Sequence, residues 1–284
     1  MARLALTDQR AGIVIMSADT DKVLAHVAAK PPATGPSQPY GVARLSDGRL
    51  VVADLAGHRI VAMAEDGSDF ASFGTLGSDS GELRSPCGVA VGPGDRIYIA
   101  DTGNSRIVAV DSMSGDGWQA YGTKGGPTAG DSGVGRFARP VAVAADAGGV
   151  VVADPGAARV VRLSTLDDSG WDASAPGVLR GPADVALLPS GGIVVADLIA
   201  RRLAFLSTPS AGVTESVVDS LLAGPSAVAA VTDDLLTVCV ARLAALVTVV
   251  KADGAWSVAL GRKLDDVGLR RPTAMCLLPA TLRL

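Results

Sequence analysis

The amino-acid sequence predicts an all-β fold, a six-bladed β-propeller with four antiparallel strands per blade, and three observations carry that expectation. A Pro recurs at positions 39, 86, 140, 182, 225 and 272, at spacings of 47, 54, 42, 43 and 47 residues. Such a period suits one four-stranded blade per repeat. Each Pro opens the same pattern: a small apolar strand, a polar turn, a Val-rich strand ending in Ala-Asp, a short loop, and a strand opening with Arg. The last copy stops after its first strand, and the chain begins in the middle of the pattern.

Blade one (39–85) carries PYGVARLSDGRLVVADLAGHRIVAM, with DFASFG as its outer strand. Blade two (86–139) carries PCGVAVGPGDRIYIADTGNSRIVAV and GWQAYG. Blade three (140–181) carries PVAVAADAGGVVVADPGAARVVRL and GWDAS, and blade four (182–224) carries PADVALLPSGGIVVADLIARRLAFL and VTESVV. Blade five (225–271) is degenerate, with PSAVAAVTDDLLTVCVARLAALVTVV and AWSVALG. Blade six joins 272–284 to 1–38. PTAMCLLPATLRL supplies its inner strand, RLALTDQRAGIVIM aligns with 49–63 less one residue, and KVLAHVA is its outer strand. This closure removes the open sheet edge that would invite aggregation. The whole chain, 1–284, then forms one domain.

Composition agrees. The chain has 284 residues, 48% of them hydrophobic and 19% charged, with 34 Gly and 16 Pro, as many short strands and tight turns require. A net charge of −4 names no partner. Cys87, Cys239 and Cys276 are odd in number and match no disulfide or zinc spacing, which points to an intracellular, cytoplasmic setting. Asp8 and Arg10 interrupt any signal-peptide core. The longest apolar run, Leu235–Val250, contains Arg242 and divides into two strands, so no membrane segment is expected.

The stretch 86–107, Pro-x-Gly-Val-Ala-Val, a turn, then Ile-Tyr-Ile-Ala-Asp-Thr-Gly-Asn-Ser-Arg-Ile, resembles an NHL repeat, and the resemblance extends in register over nearly the whole chain. The resemblance implies a six-bladed propeller. Amidating lyases of similar architecture use several His around a zinc, whereas this chain has only His26 and His58, which sets that chemistry aside. Calcium-dependent lactonases of similar architecture gather Asp, Glu and Asn around the channel. Here Asn104 is the sole Asn, and Asp184 is the one acid at the inner-strand starts. Gly41, Gly88, Ala142, Ala227 and Ala274 stand at the equivalent positions.

Asp54, Asp101, Asp154 and Asp197 are each followed five positions later by Arg59, Arg106, Arg159 and Arg202. Copying blade after blade marks them as structural: the Asp is expected to accept N–H groups of the following turn, and the Arg to pair with it or with the next blade. Asp8 keeps the role in blade six, and Val240 has lost it in blade five. The small residues Ala43, Ala90, Ala144, Ala186, Ala229 and Cys276 are expected where blades crowd the axis. No catalytic or metal-binding set is predicted. The non-repeated features are instead a rim of arginines before the inner strands, Arg84, Arg136, Arg139, Arg180, Arg270 and Arg271, beside Gln38 and Tyr40, and the Gly-rich loop 122–139 as lid or docking segment.

These features predict a non-catalytic interaction or scaffold module whose loop face meets a protein partner or larger assembly. Two alternatives rank below it. One is a metal-dependent lyase or hydrolase in the channel, with a bound Ca²⁺, carried by Asp184, Tyr40 and neighbouring arginines. The other is RNA binding by the Arg face, for which an aromatic content of 4% offers little stacking.

Overall fold

The computed structural model describes residues 3–17, 22–28, 35–124, 133–264, 267, 269 and 272–278. They form six four-stranded antiparallel sheets. Blade one runs Pro39–Arg44, Leu50–Asp54, Arg59–Met63 and Ala71–Phe73 from axis to rim. Blade six takes its inner strand, Pro272–Leu278, from the C-terminal end and its other three, Arg3–Asp8, Gly12–Ser17 and Val23–Val27, from the N-terminal end. Arg3 pairs with Leu278 and Ala5 with Cys276, so the ring is closed by main-chain hydrogen bonding. No helix of the described residues is long and apolar enough to cross a membrane.

The second strand of each blade explains the packing. Leu50–Asp54 reads LVVAD and Gly149–Asp154 reads GVVVAD, apolar without alternation, because both faces are covered. Side chains of period two then divide between two interfaces. Val51 and Ala53 pack toward blade two, whereas Leu50 and Val52 pack toward blade six. Val150 and Val152 face blade two, and Val151 and Ala153 face blade four. The core is therefore six separate apolar layers between neighbouring blades. Outer-strand aromatics continue these layers to the rim, with Phe73 5.9 Å from Trp118 and Phe205 stacked on Trp256 at 4.8 Å.

Each layer also receives a plug that repeat alignment alone did not single out. Three residues before the repeat Pro stand Leu83, Phe137, Leu179, Leu222 and Leu269, all essentially inaccessible to solvent. Pro36, buried, takes this place before Pro39. The plug pulls each connecting loop down between two blades. Phe137 does this for the loop 122–139, whose C-terminal part is thereby anchored; residues 125–132 lie outside the described residues.

Phe137→Ala is expected to lower the unfolding free energy by about 3–5 kcal/mol, the cost of an aromatic removed from a sealed site. Leu76→Ala, on the exposed part of a neighbouring loop, should stay within about 0.5 kcal/mol. Urea denaturation of the two variants checks both.

Candidate functional site

The face on which the inner strands begin, the entry face, is organised by the repeated carboxylates. Asp54, Asp101, Asp154 and Asp197 are all fully buried. Their main partners are N–H groups of the loop entering the same blade, rather than only those of the following turn. Asp54 accepts from Ser37 N, Gln38 N and the Ser37 hydroxyl, and also from Gly57 N behind it. Asp101 accepts from Arg84 N at 2.7 Å, Asp154 from Arg139 N at 2.7 Å, and Asp197 from Arg180 N and Gly181 N. The paired Arg closes the clip from the other side. Arg106 Nε donates to Asp101 at 2.8 Å while its other nitrogens reach the carbonyls of Ser78 and Glu82, and Arg202 joins Asp197 to the carbonyl of Val178. Arg59, Arg106 and Arg159 also lie over Phe70, Trp118 and Trp171.

Burial and hydrogen bonding compete at these acids. Burial alone would push the Asp54 carboxyl up, but its donors Gln38, Ser37 and Arg59 hold it below the usual carboxylate range. At Asp154 burial wins over Arg139 N, Ala138 N and Arg159, and the carboxyl is raised. The turn beyond each Asp is also uniform. The residue four positions after it, His58, Ser105, Ala158, Arg201 or Ala244 (after Val240), is left-handed, with φ of 54°, 55°, 51°, 56° and 45°. His58 is thereby held within its loop, where Nδ1 accepts from Ser85 N at 3.0 Å.

At the axis the blades touch through backbone. A Cβ on Gly41 would stand 2.5 Å from the Cys87 carbonyl, and one on Gly88 2.8 Å from the Cα of Ala142, so glycine permits that approach. Gly41 N donates to Cys87 O at 2.7 Å, Thr102 to Pro140 O at 2.6 Å, and Ser226 to Pro272 O at 3.3 Å, while the Thr7 hydroxyl donates to Tyr40 O. Asp184 stands at the Gly41 position of blade four, beside a register shift between Pro182 and Asp184, and solves the same junction differently: its Oδ2 accepts from Val228 N of blade five at 2.9 Å.

Asp184 also lines a channel cavity of about 70 Å³ with Tyr40 and Thr273. It is half-buried, facing that narrow space, and burial raises its carboxyl to about 7 despite the Val228 and Val185 N–H groups. The Tyr40 phenol is pushed up to about 12, chiefly by burial, with Cys87 and Asp184 adding and Arg139 opposing. The Tyr40 phenol thus feels both Arg139 and Asp184 at the channel mouth. Among the described residues no three His, Cys, Asp or Glu gather into a metal-binding group.

Arg84, Arg136, Arg139 and Arg180 are all exposed on the entry face, and Arg270 and Arg271 lie outside the described residues. On the opposite side the channel widens to about 320 Å³, lined by Ala43, Ala90, Ala144, Ala186, Ala229 and Cys276. The small side chains therefore leave room there as well as permitting close packing. Burial raises the Cys276 thiol to about 12.

The NHL repeat is matched over residues 83–109. No curated protein sequence matches the chain. Among solved structures, a chain in the crystal structure of a nidogen/laminin complex is similar over 98% of both chains, with TM-score 0.71 and 15% identity. A streptogramin B lyase is similar over 92% of this chain and 80% of its own, with TM-score 0.67 and 11% identity. Virginiamycin B lyase from Staphylococcus aureus is similar over 91% and 88%, with TM-score 0.61 and 15% identity. At such identities the likeness is one of fold.

The Asp184 carboxyl is raised in the folded state, so the fold binds its proton more tightly than the unfolded chain does. Its contribution is fully present below the unfolded value near 3.8 and is lost as pH rises through about 7. Asp184→Asn keeps an acceptor for Val228 N and removes this loss. Denaturation at pH 4.5 and 8.5 should show the variant gaining on the wild type by roughly 3 kcal/mol at the higher pH.

Proposed function

We propose that this NHL-repeat propeller is a non-catalytic interaction module whose entry face receives a protein partner. One observation carries the reading: the repeated buried carboxylates hold the backbone N–H groups of the exposed rim arginines themselves, Arg84, Arg139 and Arg180. The recognition surface is thus fixed before binding, which spares the loop-ordering entropy that association otherwise costs. Exposed arginines on a chain of net charge −4 favour an acidic partner surface. The likeness to a chain from a protein–protein complex, nidogen/laminin, supports the same class of function.

A channel enzyme is the second reading, favoured by the raised Asp184 carboxyl and by the two lyases of similar fold. Calcium fits the channel poorly, since it takes six to eight oxygens and Asp184 is the one carboxylate lining the cavity, with an oxygen already given to Val228 N. RNA binding at the arginines ranks third, because the exposed large apolar side chains of this face are aliphatic, among them Leu198 and Ile199.

Arg84→Glu, Arg139→Glu and Arg180→Glu combined should abolish recovery of a cross-linked partner from native extract while leaving the melting temperature within a few degrees. Equal recovery by the triple variant counts against the entry face, and an RNA recovered in place of protein moves the assignment to the third reading.

A further inference from the structure

The turns between second and third strands expose no large apolar side chain in blades one, two and three: Leu55-Ala56-Gly57-His58, where Leu55 is half-buried against the core, Thr102–Asn104 and Pro155–Ala157. Blades four and five break this rule with Leu198-Ile199-Ala200-Arg201 and Ala241-Arg242-Leu243. Leu198 is 42% exposed, Ile199 65% and Leu243 37%, and Val218, cross-strand partner of Arg202 at the end of the blade-four outer strand, is 72% exposed.

All four stand on the entry face, with Leu198 and Ile199 at the junction of blades four and five. Leu198 N donates to Gly181 O at 2.9 Å, which lays the turn over the start of blade four. Ile199 covers Gly181, whose Cβ would lie 2.6 Å from Ile199 Cγ1, and Leu198 reaches to 3.4 Å from the equivalent point on Gly224, at the start of blade five. Gly181 and Gly224 thus keep the floor low enough for the aliphatic side chains to span the junction. Arg201, held left-handed at φ 56°, fixes the end of the turn.

Around this patch stand Arg180, Arg201 and Arg242, all exposed, and none of their guanidinium groups has a hydrogen-bond or ion-pair partner among the described residues. Two acids of blade four on this face are engaged: Asp197 is buried against Arg202, and Asp219 accepts from Leu221 N. The patch is therefore apolar at its centre and positive at its border, on a chain that is acidic overall.

We propose that the turns of blades four and five form the contact site for an acidic segment of a partner protein, whose large apolar side chains rest on Leu198, Ile199, Val218 and Leu243 and whose carboxylates meet Arg180, Arg201 and Arg242. Apolar anchors surrounded by charges of one sign match the usual division of an interface into a desolvated centre and a polar rim. The same juxtaposition disfavours a nucleic acid, which would take the arginines but find no aromatic surface at their centre. The inference rests on the entry face being a protein-binding surface and adds where on it, and with what chemistry, the partner sits.

The test is selection of a displayed random 12-residue peptide library on the whole protein, followed by affinity measurement of the enriched peptides. Enrichment of peptides combining acidic with large apolar residues is expected. Leu198→Ser with Ile199→Ser, both exposed and so compatible with folding, should weaken these peptides about tenfold or more, as should Arg201→Glu with Arg242→Glu. Raising salt should weaken them chiefly through slower association. Enriched peptides that are neutral or basic, no enrichment, or displacement of the peptides by polyuridylate RNA would each overturn the assignment. Peptides lost on Arg84→Glu and Arg139→Glu but unaffected by the Leu198 and Ile199 variants overturn this site while leaving the entry-face reading intact. Peptides indifferent to every variant overturn both.

Discussion

The clip between a buried Asp and its loop is the interaction on which the remaining architecture depends. A propeller blade ends its second strand in a turn at the same edge where the loop entering that blade arrives, and both bring unpaired N–H groups out of the sheet. One carboxylate answers both sets. Asp54 takes Ser37 N and Gln38 N on one side and Gly57 N on the other, while Arg59 neutralises it. A buried charge is tolerable only when so thoroughly bonded, and an alanine there would orphan several donors and a guanidinium at once.

Blade five shows how the fold manages without the clip. Val240 cannot accept, so the incoming loop supports itself. Asp219 caps Leu221 N, Gly224 N returns to Leu222 O at 2.7 Å, and Leu222 is driven into the layer between blades four and five. The apolar plug thus survives where the polar clip is lost. Relief from the clip also coincides with a changed turn, Ala241-Arg242-Leu243, flanked by Val240 and Ala245 where blades one to four carry the motif Asp and Arg. The adjoining blade four retains its clip yet carries Leu198 and Ile199, so aliphatic exposure is concentrated at one junction rather than distributed around the ring.

At the axis, crowding decides residue type. Two blades approach so closely that only glycine fits at Gly41 and Gly88, and backbone bonds to backbone across the gap. Blade four carries a carboxylate at the same position, and that carboxylate takes the role of the missing backbone contact through Val228 N. Burial raises the Asp184 carboxyl against the opposing pull of the Val228 and Val185 N–H groups that this role supplies.

Periodicity made the blade pattern, the strand order and the closure through blade six readable from residues alone, because a repeat that cannot bury its faces singly must stack against its copies. The Asp–Arg pairs were legible as structural for the same reason, although their partners proved to be mostly the preceding loop. The plugs were visible in principle, as an apolar residue three before each Pro, but lay in loops of unequal length where alignment drifts. What only the tertiary structure decided is which non-repeated residues meet. Arg139, in the loop entering blade three, comes within electrostatic reach of Tyr40 of blade one, and Ile199 comes to rest on Gly181. Local pattern dictates each blade, because strand pairing and turn chemistry act over a few residues. The composition of a face is set by ring closure, which brings together positions far apart along the chain.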